Sequence, residues 1–143
     1  MKKEDITIPV SSGELIDKIS ILKIKRKKII NKSKLQNINH ELSLLNKIYK
    51  NNFKKNKKLF LYEKKLININ KKLWDIEDKI RLLESKKKFN KEFIKLARSV
   101  YINNDERSQI KKKNKSINWI SSYRRKILQV LLTIFLMLLS QAM

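Results

Sequence analysis

The chain has 143 residues, a net charge of +23, one Gly, one Pro and no Cys. So few turn formers exclude an all-β fold and make helices the default, and the absence of thiols excludes disulfides and thiolate metal sites. The length suits one domain with a modest core.

The start, Met1 to Asp5, lacks an apolar signal-peptide core. Asp5 to Val10 alternates, with Ile6, Ile8 and Val10 on one side, and predicts a short extended arm laid against helices. Ser11 and Glu14 stand at capping-box spacing and open a first helix. Its buried stripe reads as Leu15, Ile19, Leu22 and Ile29, helped by Ile16 and Ile30, with Asp17, Lys18, Lys23, Lys25 and Arg26 off it. Asn31-Lys32-Ser33 ends that helix, and Ser33 is placed to cap the next. A second helix runs from about Lys34 to Asn51, with Leu35, Ile38, Leu42, Leu45 and Tyr49 at heptad spacing. His40 lies off that stripe, and without a second ligand nearby it reads as a surface residue rather than a metal ligand.

The run Lys54 to Lys58 is a connection or a helix start. The most regular helix follows, with Leu59, Tyr62, Leu66, Ile69, Leu73, Ile76, Ile80 and Leu83 in an unbroken alternation of three and four. A stripe this regular needs partner helices to cover it, and the remaining helices read as those partners. It spans roughly 25 residues, or about 38 Å, which is long for so small a monomer and raises the expectation of a homodimer through its overhanging end. Ser85 to Phe89 is a loop, and Asn90 caps a fourth helix. Its buried face reads as Phe93, Leu96, Ala97, Val100 and Tyr101. Asn103-Asn104-Asp105 is expected to interrupt it, with Asn104 or Asp105 capping a last helix through Ile110. The fold class is therefore all-α: an antiparallel bundle or long helical hairpins with coiled-coil-like spacing over residues 1–113, plus a short N-terminal extended arm.

Asp75, Glu77, Asp78, Arg81 and Glu84 form the densest polar group. Asp78 can pair with Arg81, and Asp75 with Lys79. The candidate ligand- or partner-binding residues are Trp74, Asp75, Asp78, Arg81, Arg98, Tyr101, Asn104, Asp105 and Arg107. One reading is an anion or sugar-phosphate site in which Arg81, Arg98 and Arg107 are donors oriented by Asp78 or Asp105. The other is an ion-pair network that fixes helix register. Trp74 reads as partly buried packing. No catalytic residue, metal ligand or cofactor motif is identified: there is no Gly-rich phosphate loop, no Ser-His-Asp and no Cys-His arrangement.

Three blocks carry a resemblance: Pro9-Val10-Ser11-Ser12-Gly13-Glu14-Leu15-Ile16-Asp17-Lys18-Ile19; Leu73-Trp74 with Ile76-Glu77-Asp78, Ile80-Arg81 and Glu84; and Leu96-Ala97-Arg98-Ser99-Val100-Tyr101 with Asn104, Asp105 and Arg107. Together they resemble an uncharacterised family of short bacterial proteins, a domain of unknown function, over about residues 6 to 113. The resemblance implies no activity. It implies a setting near cell-envelope polysaccharide metabolism.

The end departs from that family. Back-translated into A- and T-rich codons and read one base later, Asn114 to Gln129 yields a Gly-Ser segment followed by Glu-Glu-Lys-Ser-Tyr, the kind of ending the resemblance predicts. A frameshift near Lys113 is therefore expected, and residues 114–143 read as an out-of-frame apolar tail. Taken literally, Ile127 to Met143 is a candidate C-terminal membrane anchor with a basic flank at Arg124, Arg125 and Lys126, but its roughly 17 residues are at the short limit for spanning.

Three functions stay open. The first is a cytoplasmic helical binding or accessory protein with a protein partner. The second is a small all-helical enzyme, of the chorismate-mutase kind, acting on an anionic sugar or carboxylate ligand. The third is a basic nucleic-acid binder, set against a merely solvated lysine-rich surface. Membrane attachment is expected only if the tail is genuine.

Overall fold

The computed structural model describes residues 8–113 together with Val130. They form four helices: α1 (Ser12–Lys28), α2 (Lys32–Asn52), α3 (Lys57–Ser85) and α4 (residues 91–113). No strand occurs among the described residues, and the fold is all-α as expected. The extended arm is described only from Ile8 to Val10, which are exposed; the rest of it, the stretch expected to be out of frame and all of the tail except Val130 lie outside the described residues.

Asparagine starts most of these helices. Ser11 Oγ accepts the Glu14 amide of α1, as the spacing predicts. Asn31, not Ser33, caps α2 by accepting the Lys34 amide at 3.0 Å. Asn56 accepts the Leu59 amide at 2.8 Å in α3, and Asn90 accepts the Phe93 amide in α4. Asn and Ser cap about equally well, so the earlier position wins where it shortens the α1–α2 connection to three residues. At the other end of α3, Lys87 takes the left-handed conformation (φ 53°), with Lys87 N–H donating to Glu84 and Lys88 N–H to Leu83. That is a Schellman closure with a lysine where glycine is favoured.

The helix that touches most of the others is α1, not the long α3. Leu15, Ile19 and Leu22 pack with Ile38 and Leu42 of α2. Ile16 packs with Leu59, Leu66 and Ile69 of α3, where Leu66 is fully buried. Ile24 is buried as well, because a helix covered on several sides hides more than one stripe. Ile30 falls just past the end of α1 and is 90% exposed.

The contacts also give direction. Lys18 of α1 meets Glu41 of α2, which makes an antiparallel hairpin. From α1 to α3 the contacts advance together, from Asp17 with Asn70 to Lys28 with Asp75, so these helices run in the same sense. From α1 to α4 they run oppositely, with Gly13 against Lys111 and Asp17 against Arg107. The bundle is up-down-up-down.

The helices differ in length. α3 has 29 residues against 17 in α1, about 43 Å against about 26 Å. Asp75 lies level with the end of α1, so the rest of α3 and the start of α4 project as a two-helix hairpin. Its inner apolar residues Ile80, Leu83, Phe93, Leu96 and Val100 are only half-buried, and Leu82, Phe89 and Ile94 are exposed.

Two expectations for α4 need correction. The helix is continuous through Asn103-Asn104-Asp105. Asn103 Nδ2 donates to the Ser99 carbonyl at 2.6 Å, and Asn104 accepts from Arg107, so these side chains bond along the helix rather than capping a new one. Ala97 and Tyr101 are exposed; the inward face is Phe93, Leu96, Val100, Asn103, Arg107 and Ile110.

Replacing Lys87 by Gly removes the left-handed penalty, and we expect about 1 kcal/mol of added stability. The urea midpoint should rise with an unchanged slope; a fall would mean that the Lys87 side chain contributes more than its backbone costs.

Candidate functional site

The densest polar cluster forms where α1, α3 and α4 meet. At its centre is Asp17, whose side chain is 4% exposed. Arg107 clamps it side-on: Nη2 donates to Oδ2 at 2.6 Å and Nε to Oδ1 at 3.0 Å. Asn70 of α3 donates its Nδ2 to Asp17 Oδ1 at 2.8 Å and contacts Ser20 Oγ at 2.6 Å. The Ser20 hydroxyl donates to the Asp17 carbonyl. Asn104 Oδ1 accepts from Arg107 Nη1 at 3.3 Å, and Lys111 Nζ lies 2.8 Å from Glu14 and 3.7 Å from Asp17. Two carboxylates meet two cations, and the buried carboxylate accepts charge-assisted hydrogen bonds on both oxygens.

The backbone makes this possible. Gly13 lies one turn before Asp17, and a Cβ there would fall on the Lys111 carbonyl oxygen inside van der Waals contact. The chain's one glycine thus lets α4 approach α1 closely enough for Arg107 to reach Asp17. The hydrogen bond to Asp17 raises the Arg107 guanidinium above its ordinary pKa against the opposing effect of burial.

The predicted site residues separate into two groups. Arg107 and Asn104 belong to the buried cluster. The others do not join it. Asp75 pairs with Lys28 at 3.5 Å rather than with Lys79. Arg81 pairs along its own helix with Glu77 at 3.2 Å and Asp78 at 3.9 Å. Arg98, Tyr101 and Asp105 are exposed on α4. Trp74 is half-buried as expected, and its Nε1 is buried with no hydrogen-bond partner among the described residues. Arg81, Arg98 and Arg107 do not converge, and the carboxylate that orients Arg107 is Asp17, not Asp78 or Asp105. Asp17, set off the buried stripe by the sequence reading, is the residue that reading missed, with Ser20, Asn70 and Lys111. The available signal was Gly13 four residues before it.

Two of the concavities elsewhere bear on function. One, of about 620 Å³, opens where α1, the end of α2 and the start of α3 meet. Tyr49 in its wall stacks on Phe53 at 4.9 Å; burial, then the neighbouring Glu63 carboxylate, push the phenol well above its ordinary pKa. The other is a shallow groove of about 460 Å³ on the outer face of α4, formed by Ile94 and Ile102 with Lys91, Lys95, Arg98 and Ser99. Among the described residues no three His, Asp or Glu side chains come together to hold a metal ion, and no helix is long and apolar enough to cross a membrane.

A family described as a family of unknown function (DUF6165) matches residues 6–126, a span that contains all three blocks of the resemblance. No curated protein and no solved structure matches the chain.

Removing one partner of a buried ion pair strands the other, so Asp17→Ala should cost about 3–5 kcal/mol by urea unfolding. Asp78→Ala and Arg98→Ala, at exposed sites, should each change stability by less than about 0.5 kcal/mol. Equal losses at all three positions would refute this division into buried and surface groups. A second expectation concerns alkali. A phenol held protonated in the native state keeps its proton above about pH 10, where the unfolded chain loses it, so stability falls with rising pH there. Tyr49→Phe should flatten that decline; identical slopes for both proteins would show that Tyr49 titrates normally.

Proposed function

The chain belongs to the DUF6165 family, a family of unknown function, and within it we propose that this protein is a non-enzymatic helical accessory module that binds a protein partner through the outer face of α4. One observation carries this reading. The projecting end of the α3–α4 hairpin, which has only two helices to cover its apolar residues, leaves Ile94 and Ile102 about half exposed in a groove flanked by Lys91, Lys95 and Arg98. An apolar pair about two turns apart, edged by cations, suits an amphipathic helix with acidic flanks.

Charge favours an acidic partner over a second copy. An isologous contact would set the same three cations against themselves on chains that already carry +23. The buried cluster supports the non-enzymatic part of the reading, because its cations are matched by carboxylates of the chain. The residues named from the sequence keep a place here: Arg98 edges the groove, and Tyr101 and Asp105 lie exposed on the same helix. A cytoplasmic site and a role beside cell-envelope polysaccharide enzymes are the setting that the resemblance suggests. An enzyme acting on an anionic ligand and a nucleic-acid binder remain the competing proposals.

A photo-crosslinker placed at Ile94 in cells should give one discrete protein adduct. The same probe at His40, exposed on α2, should give none, and Ile102→Glu with Arg98→Glu should abolish the Ile94 adduct without loss of helicity. Adducts to nucleic acid, an adduct with a second copy of the chain, or equal labelling from both positions would each sink the proposal.

A further inference from the structure

We propose that the concavity between α1, the end of α2 and the start of α3 is a binding site for a phosphorylated small molecule with a ring as its body. It shares no residue with the α4 groove and does not depend on that reading. Its volume of about 620 Å³ falls in the range of small-molecule sites. Four ammonium groups surround it, and they come from separate parts of the chain: Lys23 on α1, Lys50 on α2, Lys55 in the connection and Lys57 on α3.

The lining holds one carboxylate, Glu63, against those four lysines. Four like charges facing one concavity repel each other, and a multivalent anion relieves that repulsion. Lysine ammoniums act as mobile point charges, which suits a phosphate chain better than a single planar carboxylate.

The rest of the wall is not charged. Leu59 is buried, Tyr49 is held against Phe53, and Phe60 is 62% exposed on the lining. An exposed phenyl ring beside a cationic cup offers a face for a flat ring, and this separates the site from a bare counterion trap. A nucleoside diphosphate has both parts, a ring and a short phosphate chain, and serves as the probe.

Titration calorimetry with the full chain at about 0.15 M salt should show saturable binding of ADP. Lys55→Gln with Lys57→Gln should weaken it by about tenfold or more. Lys32→Gln with Lys34→Gln, a pair on α2 outside the cavity, should change it by less than about twofold. Phe60→Ala should weaken ADP but leave inorganic pyrophosphate unchanged. Every substituted side chain is exposed, so circular dichroism should be unaltered. Absence of saturation, equal loss from the control pair, or an unaffected Phe60→Ala would overturn the proposal.

Discussion

The arrangement of this protein depends on one buried carboxylate. Asp17 faces the interior of a bundle in which carboxylates are scarce and cations abundant, and burying such a group without partners is costly. Arg107 and Asn70 supply what water would. These partners belong to α4 and α3, so satisfying one side chain of α1 fixes three helices at once. Apolar stripes allow helices to slide by a turn at little cost, but a bidentate guanidinium does not. Gly13 adds a steric condition to the same contact, since α4 can approach at that register only where no Cβ intervenes. Hydrophobic burial assembles α1, α2 and α3; the polar clamp determines where α4 lies.

That division explains what could be read in advance. The stripes of α2 and α3 follow from periodicity, and Leu59, Leu66, Ile69, Leu73 and Ile76 are buried as their spacing requires. Caps at Ser11 and Asn90 follow from local chemistry. Asp17 was not legible, because a charged residue on a helix ordinarily marks the wet face, and the residue that reverses this is 90 positions away. For the same reason Arg107 could be singled out while its partner was assigned to the wrong carboxylates. The break expected at Asn103–Asp105 rested on a local preference for caps, which a helix side chain bonded to Ser99 overrides. Arg81 and Arg98 looked equivalent to Arg107 in sequence, and only the lengths of the helices separate them: Asp17 faces the C-terminal half of α4, far from the projecting hairpin.

Charge has a different meaning in different parts of the molecule. Inside, cations are matched: Arg107 and Lys111 answer Asp17 and Glu14. Outside, Lys91, Lys95 and Arg98 edge one groove, and four lysines line the cavity at the start of α3. Exposed pairs such as Lys18 with Glu41 contribute little to stability, so most of the positive charge is held at some cost to the compact state. The first turn of α3 has no acidic residue to complement the positive end of its dipole. The fold is thus stabilised by apolar burial and one polar clamp, against its own surface charge.

The wide separation of Asp17 and Arg107 also bears on how the protein comes into being. Of the four described helices, a ribosome makes α1 first and α4 last. While α1, α2 and α3 are already available to collapse on one another, Asp17 has Asn70 but not its counter-charge. The nascent unit therefore lacks the guanidinium at this seam, and the Asp17 carboxylate keeps its contact with water until Arg107 is released. The order of synthesis makes α4 a latch on α1, and a chain that stops before Arg107 lacks the clamp.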